Sequence, residues 1–401
     1  MKDTVISNDI KYIGVDDKKI DLFESQYILP NGVSYNSYLI KDEKNVVMDT
    51  VDKRASEEWI ENLERTLNGE KIDYLVISHL EPDHAGNIGY LAKKYPEMKL
   101  IGNAKTFQML VQFFSIENLE ERKIVVKEGD EINLGKHTLQ FFMAPMVHWP
   151  EVMVTYEKTE KILFTADGFG KFGALDTDEE WACEARRYYF NIVGKYGMQV
   201  QALLKKAATL DIKMICPLHG PILKENLGYY INKYDIWSSY KPEEEGVFIA
   251  YASMYGYTKQ AVEKLVEILK EKGIEKISTT DLSRDDMAEA VEDAFKYDKM
   301  ILAAPSYNAG VFPPMQEFLY HLQSKNYQNR KIGIIENGSW APSAAKTMKE
   351  IISKMKNIEI CEPTVTIISK MNENNIAELE KLANNLTEVG WRMPEGGERR
   401  S

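Results

Sequence analysis

The segment His79-Leu80-Glu81-Pro82-Asp83-His84 constrains this chain more than any other. It packs four potential metal ligands into six residues, directly after the apolar run Asp73–Ser78, which reads as a strand. The segment reads as a rigid loop whose side chains are splayed at different angles. Pro82 fixes one φ and is expected to keep the loop out of a helix, with a helical stretch following over Ala85–Lys94. Three further candidates sit in similar surroundings. His148 lies in Ala144–Pro150, Asp167 follows the apolar run Ile162–Phe164, and His219 lies in Cys216–Pro221. Each occupies a Pro- or Gly-rich loop after a strand-like run, where functional groups ride on a rigid scaffold. A solitary histidine is more often an ordinary polar residue than a ligand. Four of the six histidines here share strand-end loops with acidic residues, whereas His137 and His321 show no such company and read as surface or packing residues.

Up to about Ser238 the pattern is β-rich with helices interspersed. Gly32–Ile40, Asn45–Val51 and Thr138–Met143 read as strands, and Val152–Tyr156 and Ile162–Thr165 as a pair joined by the charged turn Glu157–Lys161. The connector Lys241–Gly246 is charged and bounded by Pro and Gly, and divides the chain into domains 1–241 and 247–401. Beyond it, strands and helices alternate. Val247–Ala252 is a buried-type strand, and the helix Lys259–Lys272 places Val262, Leu265, Val266 and Leu269 on one stripe. Strands over Met300–Ala304, Lys331–Glu336 and Thr364–Ile368 alternate with helices near Met315–Gln323 and Ala344–Lys356, before a closing helix. This alternation predicts an α/β domain with a doubly wound parallel sheet. The tail Glu395–Ser401 is polar and expected to be mobile.

Composition excludes several classes of partner. Fifty basic against 62 acidic residues leave a net charge of −12, which repels phosphate backbones, and no basic stripe offsets it, so no nucleic-acid partner is expected. No run of 18 apolar residues occurs, and the first ten residues lack the apolar core of a signal peptide, so no membrane association is expected. Three cysteines, Cys183, Cys216 and Cys361, stand far apart with no CxxC, which fits a reducing cytoplasm.

The second domain opens with a different chemical signal. After Val247–Ala252 comes Ser253-Met254-Tyr255-Gly256-Tyr257-Thr258, and then the amphipathic helix. Hydroxyls at Ser253 and Thr258 with Gly256 between them suit a nest of N–H groups at a helix N-terminus, a site for a terminal phosphate. Two later strand-end loops join it: Pro305-Ser306-Tyr307-Asn308-Ala309-Gly310 and Asn337-Gly338-Ser339-Trp340. Ligands of open α/β sheets bind at such strand ends. Tyr307 and Trp340 could flank a planar ring, while Gly310 and Gly338 would leave backbone amides free to contact it. The SxYGxT-type loop with an aromatic in each later loop resembles flavodoxin, and with no GxGxxG present the resemblance implies FMN rather than a dinucleotide.

The histidine and carboxylate pattern resembles the metallo-β-lactamase superfamily, whose binuclear site uses an HxHxDH loop followed by a His, an Asp and a His. Position 81 departs from it, carrying Glu where the hydrolases carry His. The added carboxylate makes the site harder and shifts preference from zinc toward iron or manganese. Four neutral imidazoles and three carboxylates balance two divalent ions and one bridging hydroxide, a combination that can cycle with iron; zinc cannot cycle.

The two halves together resemble the flavodiiron protein family over nearly the whole chain, in its minimal two-domain class. The resemblance implies an N-terminal metallo-β-lactamase-like αββα sandwich followed by a flavodoxin-like domain. It implies a diiron centre in which His79, Glu81 and His148 hold one iron, Asp83, His84 and His219 hold the other, and Asp167 bridges them. It further implies reduction of O2 to water or of NO to N2O, an electron donor such as rubredoxin or another reduced flavin or iron–sulfur carrier, and a head-to-tail homodimer that could pair into a tetramer. The rival reading is a binuclear metallohydrolase with an accessory domain, against which Glu81 and the flavin-type loops speak. The aromatic residues Tyr35, Tyr38, Trp149, Tyr188 and Tyr189 could tune the choice between O2 and NO, and are equally well explained as core.

Overall fold

The computed structural model describes residues 4–388, so the tail Glu395–Ser401 lies outside the described residues. The chain divides into two compact units, Met1–Asp235 and Ile236–Ser401.

In the first unit, one sheet takes the order Ile10–Tyr12, Tyr38–Ile40, Val46–Met48, Tyr74–Val76, Lys99–Gly102, Lys123–Val125. A second takes the order Glu131–Asn133, Thr138–Met143, Met153–Glu157, Ile162–Phe164, Met214–Cys216. Tyr38, Met48, Val76 and Ile101 of the first sheet share a core with Phe141, Met153, Phe164 and Cys216 of the second, so the sheets pack face to face. Val46, Val47 and Met48 are all buried, which requires cover on both faces of their strand. The helix Ser56–Leu67 buries Trp59, Leu63 and Leu67 along one stripe.

Local chemistry shifts several expected boundaries toward the metal loops. The strand expected over Gly32–Ile40 is two strands, Val33–Tyr35 and Tyr38–Ile40. The break falls at Asn36, whose Nδ2 donates to the carbonyls of Pro217 and Gly220 at 2.8 Å each, and at Ser37, whose Oγ donates to Asp49 O. Pro82 does not exclude a helix. It opens the single turn Pro82–Ala85, where a residue without an N–H costs nothing, and a second helix covers Ile88–Lys94. His137 does have acidic company: it is buried, with Nδ1 3.0 Å from Glu157 Oε1 and Nε2 3.4 Å from Asp9 Oδ2.

The second unit is a parallel sheet in the order Ile277–Asp281, Glu244–Tyr251, Tyr297–Tyr307, Gln328–Asn337, Lys356–Ile367. The sequence of its first strand, Ile-Ser-Thr-Thr-Asp, is too polar to read as a core strand, and it takes an edge. On one face, Val262, Leu265 and Leu269 of helix Tyr257–Glu271 and Leu379, Leu382 and Leu386 of helix Glu373–Thr387 pack on Ile249, Ile301, Ile335 and Val365. On the other, Phe248 meets Phe318 of helix Pro313–Ser324. Arg330 is fully buried and donates to the carbonyls of Tyr297 at 2.7 Å and Tyr240 at 2.9 Å, and also to those of Phe295, Gln328 and Asn329. Arg330→Ala would strand these buried acceptors, so it is expected to destabilise this unit by roughly 3 kcal/mol or more in urea unfolding. A loss below about 1 kcal/mol would show the carbonyls finding other donors.

Candidate functional site

All seven residues singled out as metal ligands converge. His79, Glu81, Asp83 and His84 follow strand Tyr74–Val76 of the first sheet, while His148, Asp167 and His219 follow strands Thr138–Met143, Ile162–Phe164 and Met214–Cys216 of the second. They form two groups, His79–Glu81–His148–Asp167 and Asp83–His84–His219, and within each the ligand-capable atoms lie within 4.8 Å of one another. Asp167 stands between the groups. Its Oδ2 is 3.3 Å from His79 Nε2 and 3.4 Å from His148 Nε2, and its Oδ1 is 3.2 Å from His84 Nε2 and 3.8 Å from His219 Nε2. Glu81 Oε2 lies 3.2 and 3.0 Å from His79 and His148 Nε2, and Asp83 Oδ2 lies 3.2 Å from both His84 and His219 Nε2. Ala166, just before Asp167, holds a left-handed φ of 50°, a local cost of the kind found where a side chain must be aimed.

Residues behind the imidazoles orient them. His79 Nδ1 meets Glu151 Oε1 at 2.8 Å, and His219 Nδ1 meets Ser34 O at 2.7 Å. Tyr38 donates to Pro217 O at 2.6 Å, and the N–H of Gly220 (φ +78°) donates to Ser34 Oγ. Asp49, whose carboxyl burial pushes up to about 6, accepts the N–H of Ser78 at 2.7 Å just before His79. Glu151, Ser34, Asn36 and Asp49 are missing from the sequence reading. Only Glu151 carries a signal there, an acidic residue three positions after His148 in the same loop. Aromatic rings wall the site: Trp149 lies 5.1 Å from His79, and Phe23, Tyr35 and Tyr188 lie 5.5, 6.0 and 5.4 Å from His219. Tyr38 and Tyr189 are also fully buried.

The electrostatics favour cations. Six of the seven residues are buried, and Glu81 is 14% exposed. Burial opposes the charge on His84 and His148, yet the neighbouring carboxylates hold their imidazolium forms up to about 10 and about 9. Burial likewise works against Asp167 and Asp83, but the imidazoles keep both carboxyls well below the ordinary range. Both oxygens of Asp83, both oxygens of Asp167 and Nδ1 of His84 are buried without a hydrogen-bond donor or acceptor. Buried carboxylates orphaned in this way, converging with imidazole Nε2 atoms and shared through one Asp, fit a pair of divalent metal ions.

The three loops of the second unit enclose a cavity of about 510 Å³, within the range of small-molecule sites. It lies where the strand order reverses, beyond the carboxyl ends of Glu244–Tyr251 and Tyr297–Tyr307. Fourteen of the sixteen residues expected there line it, joined by Ala341, Pro342, Ser343 and Ser369. Gly256 and Gly310 shape it instead. Gly256 takes φ +89° before helix Tyr257–Glu271, and Gly310 pairs back onto Tyr307. The expected free amide at Gly338 is committed, donating to Ile367 O at 3.0 Å. Ser253 Oγ accepts the N–H of Gly256 at 3.1 Å and of Lys259 at 3.3 Å, folding the loop over the helix N-terminus. Trp340 is 92% and Tyr255 88% exposed, so neither is a packing residue in its own unit. Flat aromatic walls above a helix N-terminus fit a flavin with a terminal phosphate.

Comparison with known proteins agrees with this geometry. The model described as ODP family beta lactamase matches residues 33–220, and a flavodoxin domain model matches residues 248–368. An uncharacterized protein of Methanocaldococcus jannaschii is 32% identical over 96% of this chain and 98% of its own length. A nitric oxide reductase of Moorella thermoacetica is 29% identical over 90% of this chain and 92% of its own. Among solved structures, rubredoxin oxygen:oxidoreductase from Desulfovibrio gigas superposes with a TM-score of 0.88 at 26% identity, covering 96% of this chain and 97% of that one. A flavo di-iron protein variant from Thermotoga maritima gives 0.85 at 27% identity, covering 94% and 95%. With a β-lactamase-type metal domain joined to a flavodoxin-type domain, and relatives matching along both, the chain belongs to the flavodiiron protein family of oxidoreductases.

Proposed function

We propose that this enzyme reduces O2 to water, NO to N2O, or both, at a diiron centre fed by FMN. One observation carries the reading: Asp167 turns one oxygen to each of two ligand groups, in a chain that also builds a flavin-sized cavity. In this reading His79, Glu81 and His148 hold one iron, Asp83, His84 and His219 hold the other, and Asp167 bridges them. With both groups bound, the iron pair supplies two electrons and reduced FMN two more, the four that O2 requires, whereas two NO need only two. The buried rings of Phe23, Tyr35 and Tyr188 keep bulk water from the imidazoles, which strengthens every charge interaction inside. The relatives named for nitric oxide and for oxygen reduction support both substrates.

The reading extends to a head-to-tail homodimer, in which the FMN of one subunit serves the irons of the other, and to a rubredoxin-type or other reduced carrier as donor. A cytoplasmic location is supported by the wide spacing of Cys183, Cys216 and Cys361 in the sequence, with no CxxC. Among the described residues no helix is long and apolar enough to cross a membrane. Metal analysis with an absorption spectrum of the purified protein tests the core of the proposal. About two irons and one FMN per chain are expected from these two sites; zinc without flavin would overturn it.

The cavity carries its own prediction. The loop Ser253–Thr258 anchors the phosphate, while Trp340 stands at the ring without anchoring it. Trp340→Ala is expected to shift the flavin potential with FMN retained, whereas Ser253→Asp with Thr258→Asp places charge against the phosphate and releases FMN. Spectra of the purified variants and a redox titration check this. A flavin-free Trp340→Ala protein would reverse the assignment.

A further inference from the structure

Glu151 is completely buried, yet it belongs to neither ligand group. Its Oε1 takes His79 Nδ1 at 2.8 Å and the N–H of Leu80 at 2.9 Å, while its Oε2 is buried with no hydrogen-bond partner. Asn103 Nδ2 donates to its backbone carbonyl at 2.7 Å, which fixes the main chain at this point. A buried carboxylate oxygen without a donor is costly, so the residue's charge needs compensation through the ring it touches.

The two imidazoles of the other group lack this support. His219 Nδ1 faces a neutral carbonyl, Ser34 O, and His84 Nδ1 is buried without a partner. The two ligand groups are thus unequal. Each has one carboxylate of its own and a share of Asp167, but only the group containing His79 has a further buried carboxylate bonded directly to the Nδ1 of a ligand imidazole. A carboxylate that accepts Nδ1–H fixes the tautomer, aims Nε2 at the metal and raises the basicity of the ring.

We infer that Glu151 is a positioning residue for His79, and that it makes the His79–Glu81–His148 position the tighter of the two metal positions, so that this position fills first. The inference rests on the two-metal reading above.

The test is a titration of metal-stripped full-length protein with cobalt(II) against a competing chelator, following the visible cobalt bands. The wild-type chain is expected to bind two ions in separate steps. Glu151→Gln is the informative variant, because one Gln Oε1 can accept both His79 Nδ1–H and the Leu80 N–H, so the geometry stays and the charge goes. It is expected to weaken the tighter step by about 10- to 100-fold, to leave the weaker step unchanged and to alter the cobalt spectrum of the first ion alone. Glu151→Asp, which restores the charge, should recover part of that affinity. Equal steps in the wild type, or a Glu151→Gln chain with both steps unchanged or equally weakened, would overturn the inference while leaving the two-metal reading intact. Fewer than two ions bound by the wild type would instead overturn that reading.

Discussion

Asp167→Asn is expected to empty both metal positions together. The carboxylate is fully buried and turns Oδ2 toward His79 and His148 and Oδ1 toward His84 and His219, all at 3.2–3.8 Å. Asparagine fits the same space but removes the shared negative charge and points an N–H₂ at imidazole nitrogens on one side. Residues that only support metal ligands cost about 10- to 100-fold in affinity when replaced, and a shared ligand should exceed that at both positions. Glu81→Ala and Asp83→Ala, each in one group alone, should lose a single ion. Iron content after anaerobic loading separates the outcomes. One ion retained at full occupancy in Asp167→Asn would make the residue a ligand of one metal and not a bridge.

Mixing two inactive variants is expected to restore turnover. His79→Ala with Asp83→Ala removes one ligand from each metal group but spares the flavin loops. Ser253→Asp with Thr258→Asp does the reverse. In the proposed head-to-tail dimer, a mixed pair joins the intact flavin site of one subunit to the intact iron site of the other and leaves its second pairing dead. Random exchange at equal amounts makes half of the dimers mixed, so activity should reach about a quarter of the wild-type value. Native mass spectrometry of the mixture establishes that exchange has occurred. Zero activity in a demonstrably exchanged mixture would mean that electrons travel within a chain, and the proposed assembly would fall.

Much of this was legible residue by residue. The run His79–His84 and the distant His148, Asp167 and His219 each announce themselves in a strand-end loop, and the structure brings all seven together. The alternation of strands and helices after Lys241–Gly246 specifies a parallel sheet because period-2 and period-3.6 patterns are local properties of the chain. Errors arose where a residue serves something distant in sequence. Asn36 breaks a strand to hold the loop at Pro217, and the edge strand Ile277–Asp281 hides its role behind a polar sequence.

The sequence by itself determined the donor types, their loops, the sheet pattern of the second unit and the aromatic rim of its cavity. Only the tertiary structure decided that Asp167 faces both groups, that Glu151 stands behind His79, that the amide of Gly338 is already spent on Ile367, and that Trp340 is left exposed. The reason is physical: side-chain type and backbone periodicity are written in neighbouring residues, whereas burial, hydrogen-bond partners and the sharing of one carboxylate between two sites depend on segments that meet only after the sheets have packed.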